Sequence, residues 1–240
     1  MATGSVVIDF LPEAMQQYRD GYAIVAIDVI RATTTALTAL AGGRRCFPEA
    51  TIEDAVARAA TLERPLLVGE LGGNMPFGFD LTNSPAAIAA QDDVARPMVL
   101  LSSSGTQLIA NARQAGAPTY LACFRNFRAT AAHLAARHRR VAVIGAGTRG
   151  EFREEDQMCC AWVTDGLLAA GFTAEDARTT EIVERWRGQA AEACRVSKSV
   201  DYLRRSDQLR DLDFILAHVD DLGAACVLKH GEAVLVPVAD

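Results

Sequence analysis

The side chains able to do chemistry in this 240-residue chain recur at one kind of place, just after a short apolar run. Asp28 closes YAIVAID, with Arg31 three residues on. Glu70 follows LLVG and opens GELGGNMPFGFDLTNSP, which adds Asn74, Asp80 and Asn83 among glycines that let backbone approach a ligand closely. Ser102 to Ser104, Gly105 and Thr106 follow MVLL; Arg125-Asn126 follow TYLACF; and GAGTRGEFREED follows VAVI. Asp28, Glu70, Glu155 and Asp156 are hard oxygen donors of the kind magnesium prefers. Arg31 and Arg125 can grip phosphate or sulfonate oxygens as bidentate donors. Ser103, Ser104, Gly105 and Thr106 can cradle a phosphate with hydroxyls, backbone N–H groups and a helix N-terminus, while Asn83 and Asn126 would orient the substrate. Taken singly, SSSGT is equally well explained as a Ser-rich capping turn, and each carboxylate is better explained as a cap or a solvated face. Their shared placement carries the enzyme reading.

The elements that must position them alternate. Strands are expected at Val6–Asp9, Tyr22–Asp28, Arg45–Phe47, Leu66–Val68, Met98–Leu101, Thr119–Cys123, Val141–Ile144 and Val234–Val238. Continuous apolar runs such as YAIVAI suit strands buried on both faces. Helices fall between them: Ala32 to the Gly42-Gly43 stop, Thr51–Leu62, Ala86–Ala90 after the Ser84-Pro85 start signal, Thr106–Ala115, Phe127–Arg137, and a long one ending before Gly171. Beyond Gly171 the pattern turns helical, over Thr173–Arg187 and Gln189–Leu203. The triple Thr33-Thr34-Thr35 makes a poor helix interior, so its hydroxyls are expected to face a ligand. The sum is a layered α/β/α fold with a mixed, largely parallel sheet and a helix-rich C-terminal part, read as one domain over 1–240. In open α/β sheets ligands bind outside the carboxyl ends of the strands. The polar strand ends are therefore expected to converge on one rim, with the long Gly69–Pro85 loop as a wall.

Composition narrows the classes. Half the residues are hydrophobic and 22% are charged, which is globular. The net charge of -6 argues against a nucleic-acid surface. No apolar run approaches the ~20 residues needed to span a bilayer, and MATGSVVIDF has no basic n-region of a signal peptide. The expected location is cytoplasmic, and a homodimer is compatible with all of this. Six irregularly spaced cysteines without a CxxC read as buried thiols.

Three motifs compete. GAGTRG matches GxGxxG but lacks the acidic residue at the end of a second strand ~20 residues on that a dinucleotide site wants. A nicotinamide-dependent oxidoreductase is thus the rival enzyme, and a non-catalytic small-anion-binding protein the rival of another class. SSSGT lacks the Lys of a P-loop, which argues against nucleoside triphosphates. DVIRAT is similar to the DxDxT of haloacid-dehalogenase-like phosphatases, but Ile30 stands where the second Asp should be, which removes that mechanism's general acid. His133 and His138 fall at an exposed-looking helix end.

The ordered set DVIRATTT, GExxGxxPFGFDLTNSP, SSSGT, CFRN, GAGTRGEFREEDQMCCAW and a terminal VP resembles the 2-phosphosulfolactate phosphatase family, from about Val6 to Pro237. The GFDLxNSP block and the Phe-x-x-Glu-Asp block at Phe152–Asp156 are its most specific parts. The chain departs from the family at Ser104, where Asn is usual, and matches poorly over Leu203–Leu228, although Asp221 could correspond to a family Asp. The resemblance implies magnesium-dependent hydrolysis of phosphosulfolactate to sulfolactate, a step in coenzyme M synthesis. The expected partner is a small phosphorylated, sulfonated acid. Asp28, Glu70 and Asp156 become the expected metal ligands, with Glu155 in reserve, and Arg31 joins them in the catalytic set.

Overall fold

In the computed structural model, residues 4–238 are described, apart from the Gln16 side chain. Met1, where the leader reading begins, and both ends of the 1–240 span lie outside the described residues.

Ten strands form one sheet: β1 Gly4–Phe10, β2 Ala23–Ile27, β3 Cys46–Glu49, β4 Leu66–Gly69, β5 Met98–Leu101, β6 Thr119–Ala122, β7 Arg140–Gly145, β8 Phe172–Ala174, β9 Ala224–Lys229 and β10 Glu232–Pro237. Nine α-helices join them: α1 Ala32–Ala41, α2 Ile52–Ala59, α3 Pro85–Ala89, α4 Gly105–Gln114, α5 Phe127–Arg137, α6 Glu154–Ala169, α7 Ala177–Trp186, α8 Lys198–Arg205 and α9 Leu209–Ala217. Two 3₁₀ turns, Pro12–Gln17 and Ala191–Val196, complete the regular structure of the described residues. Among the described residues no helix is long and apolar enough to cross a membrane.

The central strands are buried on both faces because both faces are apolar. Val25 and Ile27 pack with α5, α6, α7, α8 and α9 on one side. Ile24 and Ala26 pack with α1 and α4 on the other. A smaller cluster joins Ala55 of α2 to Val99 and Leu101. All six cysteines are free and buried.

The strand order is β4-β5-β3-β10-β9-β6-β2-β7-β1-β8. β4, β5 and β3 are mutually parallel, as are β6, β2, β7, β1 and β8. The β9–β10 hairpin inserts between these blocks through three antiparallel pairings, so the blocks run in opposite nominal directions. A right-handed twist of roughly 20–25° per strand accumulates to about 100–125° over the five steps from β5 to β2. That rotation turns the carboxyl ends of the two blocks back toward each other.

Helix starts follow the local chemistry of the sequence. Thr51 Oγ1 accepts the Asp54 N–H at 3.0 Å, and Ser84 Oγ accepts the Ala87 N–H at 3.1 Å. The C-terminal third differs from its expected helices. Phe172–Ala174 pairs with β1 as an edge strand, and α7 begins only after Asp176, whose side chain accepts the Thr179 N–H. The expected helix over Gln189–Leu203 is broken at Ser197, which caps α8 after the 3₁₀ turn. Leu209–Leu228, for which no element was expected, forms α9 and β9.

Candidate active site

The polar ends of β2, β4 and β5 open into a cavity of about 800 Å³ lined by Asp28, Arg31, Glu70, Asn83, Ser103 and Ser104. Its remaining wall comes from the loop after β7 and from α8.

Asp28 sits at the β2–α1 turn, which the threonine run holds. Thr33 Oγ1 donates to the Asp28 carbonyl at 2.7 Å and accepts the Asp28 N–H at 3.0 Å. Thr34 and Thr35 hydroxyls donate to the carbonyls of Val29 and Arg31. All three threonines are buried, so they build the turn rather than face a ligand. Next to it, α4 begins against the Asp28 carboxylate. A Cβ on Gly105 would stand 2.3 Å from Asp28 Oδ2 and 2.7 Å from Ala32 Cβ, so only glycine fits.

Glu70 leaves the end of β4 and reaches the SSSGT turn. Its carboxylate accepts the Ser103 N–H at 2.8 Å, the Ser103 hydroxyl at 3.0 Å and the Gly73 N–H at 2.8 Å. Ser103 Oγ accepts the Gly72 N–H at 2.8 Å. The Gly69–Pro85 loop and the loop after β5 are thereby knitted into one wall. Gly73 also lies against α8: Tyr202 donates its hydroxyl to the Gly73 carbonyl at 2.9 Å, and a Cβ there would meet that hydroxyl at 2.7 Å.

Burial and mutual repulsion govern the acidic groups. Burial, then the neighbouring Glu70, pushes the Asp28 carboxyl up to about 7. Asp156 lies above the usual carboxylate range because it is buried and faces Glu155 and Asp28. Its Oδ1 accepts the Val29 N–H at 2.9 Å, which ties the start of α6 to the residue after Asp28. Glu155 is raised chiefly by burial, and its Oε2 has no hydrogen-bond partner. Asn83, only 2% exposed, likewise leaves Oδ1 unpartnered. Among the described residues no three His, Cys, Asp or Glu side chains are arranged as a metal cage.

Arg31 lines the cavity with its Nη1 anchored on Asp211 Oδ2 at 2.6 Å and on Gln208. Asp211 in turn accepts the Ser84 hydroxyl at 2.5 Å and the Ala86 N–H at 3.3 Å. The fork is thus aimed by α9 and by the start of α3.

Six expected ligand residues are not among those that line the cavity: Glu155 and Asp156, buried in the first turn of α6, Gly105, packed on Asp28, and Arg125, Asn126 and Thr106. Arg125 spends Nε and Nη2 on Asp221 at 2.9 and 2.8 Å and Nη1 on Thr38, which latches the α9–β9 connection to the end of β6. Asn126 closes the same strand end, accepting the Cys123 N–H and donating to the Leu121 carbonyl. The Thr106 hydroxyl accepts the Ser102 N–H and donates to the Ser102 carbonyl, an internal cap for α4.

GAGTRG does not open a helix: β7 ends at Gly145 and α6 begins only at Glu154. No helix N-terminus therefore follows the glycines directly, as pyrophosphate recognition requires. Instead Thr148 and Arg149 line the cavity. Sequence reasoning also missed Lys198, Tyr202 and Arg205 of α8 and the anchor Asp211. The available signals were Ser197 as an N-cap and Lys198 as one of two lysines.

The relatives match this arrangement over most of its length. A family described as 2-phosphosulpholactate phosphatase matches residues 9–229. A Deinococcus radiodurans protein named "Probable 2-phosphosulfolactate phosphatase" is 35% identical over 211 residues, 86% of each chain. A Synechococcus sp. (strain CC9605) protein of the same name is 32% identical over 226 residues, 89% of this chain and 91% of its own. The match spans both strand blocks and every element that lines the cavity, and so the chain belongs to the 2-phosphosulpholactate phosphatase family of phosphoric monoester hydrolases.

Proposed function

We propose that this protein is a cytoplasmic, magnesium-dependent phosphatase that hydrolyses 2-phosphosulfolactate, or a closely similar phosphorylated hydroxy acid, to the hydroxy acid and phosphate. Sulfolactate made in this way would feed coenzyme M synthesis. The observation that carries the reading is the meeting of Asp28 and Glu70, from opposed strand blocks, beside the anchored Arg31 and the hydroxyls of Ser103 and Ser104. Two carboxylates alone would repel a phosphate dianion. A cation between them removes that repulsion.

Magnesium typically binds through one or two carboxylates with water and substrate phosphate oxygens completing its shell. Asp28 and Glu70 fit that requirement, and the unpartnered Asn83 Oδ1 adds a neutral oxygen donor. When bound, the ion would neutralise phosphoryl charge and acidify a water molecule. The protein's own contributions are orientation and charge. Arg31, aimed by Asp211 and Gln208, donates to a phosphoryl oxygen; Ser104 supplies a hydroxyl at the β5–α4 turn, while Ser103, whose hydroxyl donates to Glu70, holds that carboxylate in place; Asp156 fixes the backbone next to Asp28. Glu155, buried one residue before Asp156, adds to the negative potential that favours a dication.

Purified protein should release phosphate from 2-phosphosulfolactate with magnesium and fail to do so in EDTA. Undiminished turnover in excess chelator would remove the metal from the reading. No turnover of 2-phosphosulfolactate or 2-phospholactate would remove the substrate class.

A further inference from the structure

The charges of the cavity divide into committed and uncommitted groups. Lys198 and Arg153 both pair with Glu151 at 2.6 Å, Asp201 with Arg204 at 2.5 Å, and Arg31 with Asp211. Among the described residues Arg149 and Arg205 form no ion pair, yet both line the cavity. The anions without an ion pair, Asp28 and Glu70, come from the ends of β2 and β4. The uncommitted cations come from the loop after β7 and the end of α8. The cavity is therefore bipolar.

Arg149 is also held in place. It lies at φ 53° between Gly147 at 61° and Gly150 at 78°, a left-handed conformation uncommon for a side-chain-bearing residue. The turn is closed by the paired backbone hydrogen bonds between Thr148 and Glu151 and by Arg153 donating to the Thr148 carbonyl. Such conformations persist where surrounding structure over-determines them, and they cluster at ligand clamps.

We propose that Arg149 and Arg205 are the receptor for the acid groups of the substrate that do not react: the carboxylate and sulfonate of the phosphorylated hydroxy acid. This rests on the phosphatase reading above and deepens it. A phosphoryl group must be met at the Asp28–Glu70 wall through a cation. A carboxylate or sulfonate needs none when it meets guanidinium groups directly, and their planar forks match its oxygens. A substrate with anionic groups at both ends would therefore bind in one orientation, phosphoryl toward Asp28 and acid tail toward the arginines. The two arginines would then determine specificity for acid-bearing phosphate esters.

The test compares sulfolactate, which carries the tail without phosphate, with inorganic phosphate, each titrated calorimetrically in magnesium. Arg149→Gln, Arg205→Gln and the double variant are compared with wild type. Both side chains are exposed, so melting temperatures should be unchanged, and equal values check that folding is intact. The expected result is a weakening of sulfolactate binding on the order of tenfold or more in the double variant, because each lost contact is a charge-assisted hydrogen-bond pair. Phosphate affinity should stay within about twofold, and Arg205→Lys should rescue only partly. Unchanged sulfolactate binding, a parallel loss for phosphate, or no saturable sulfolactate binding by the wild type would each overturn the proposal. Phosphate release from 2-phosphosulfolactate by wild type is scored separately. Its absence defeats the phosphatase reading, whatever the arginines bind.

Discussion

Arg31 and Asp211 are 4% and 1% exposed in their side chains and meet at 2.6 Å, so neither charge has water to fall back on. Removing one partner of such a pair typically costs about 3–5 kcal/mol, whereas replacing both with apolar groups is often near neutral. Asp211→Ala should therefore lower the urea midpoint strongly. The double variant Arg31→Met/Asp211→Leu should recover much of that loss, short of the bonds Ser84 and Ala86 make to Asp211. Activity should not recover with it, because the guanidinium proposed to meet phosphate is gone. A double variant with normal turnover would take Arg31 out of the substrate's reach. Gly105→Ala offers a second check, since its Cβ would press on Asp28 Oδ2 at 2.3 Å. Phosphate release should fall sharply, and stability by about 1–3 kcal/mol as in other overpacked sites. At this scale the sequence reveals residue type better than commitment. Arg31 and Arg125 look alike as strand-end arginines. They are told apart only by Asp221, which takes both ends of the Arg125 fork, and that contact spans 96 positions.

The strands and most helices were legible because apolar runs and capping residues act locally: Thr51, Ser84-Pro85 and Gly171 each mark an end that the structure keeps. Beyond Gly171 the signals mislead. FTA at Phe172–Ala174 is too short to announce itself, and it becomes a strand only because β1 offers a free edge. α5 shows the same limit at His133 and His138, expected at an exposed helix end. His133 is 5% exposed and faces Tyr120, and His138 Nε2 lies 2.8 Å from the Tyr120 hydroxyl. Burial, with Arg137 nearby, lowers both imidazoles below their ordinary value. The unfolded chain then binds protons more readily than the folded one, so acid favours unfolding. The stability contributed by neutral histidines should be complete above the ordinary histidine value of about 6.5 and decline as pH falls below it. Over pH 7.5 to 5 the raised Asp28 carboxyl acts in the opposite sense, so the histidine contribution is read as a difference: acidification should cost His138→Gln less melting temperature than it costs wild type. An identical pH profile in that variant would exclude His138 as a source.

The whole molecule places its site on a seam. Asp28 belongs to the block β6-β2-β7-β1-β8 and Glu70 to the block β4-β5-β3, and within the sheet the second block joins the β9–β10 hairpin through one registered pair, Ala233 with Cys46. No sequence pattern announces this. Each block reads as parallel strands, and their opposed directions follow only from a hairpin near the chain's end. The arrangement has a consequence for dynamics. With so thin a junction, β4 and β5 should open at lower free energy than the central strands, which are paired on both sides along their length. A ligand that contacts Asp28 and Glu70 together binds only when the seam is closed. Ligand at about 100 times its dissociation constant would oppose opening by about 2.7 kcal/mol, close to a hundredfold in exchange rate. Amide hydrogen exchange with and without magnesium plus phosphate should show this at Val68 and Leu100. Val25 and Ala142, inside the first block, should change little unless they exchange through global unfolding. Glu70→Gln should weaken the added protection at Val68 and Leu100, measured against the variant's own ligand-free rates because the amide also gives up one of the bonds to Ser103 and Gly73. Uniform protection across both blocks, or none at β4 and β5, would mean that the ligand does not bridge the seam and that Asp28 and Glu70 do not bind it together.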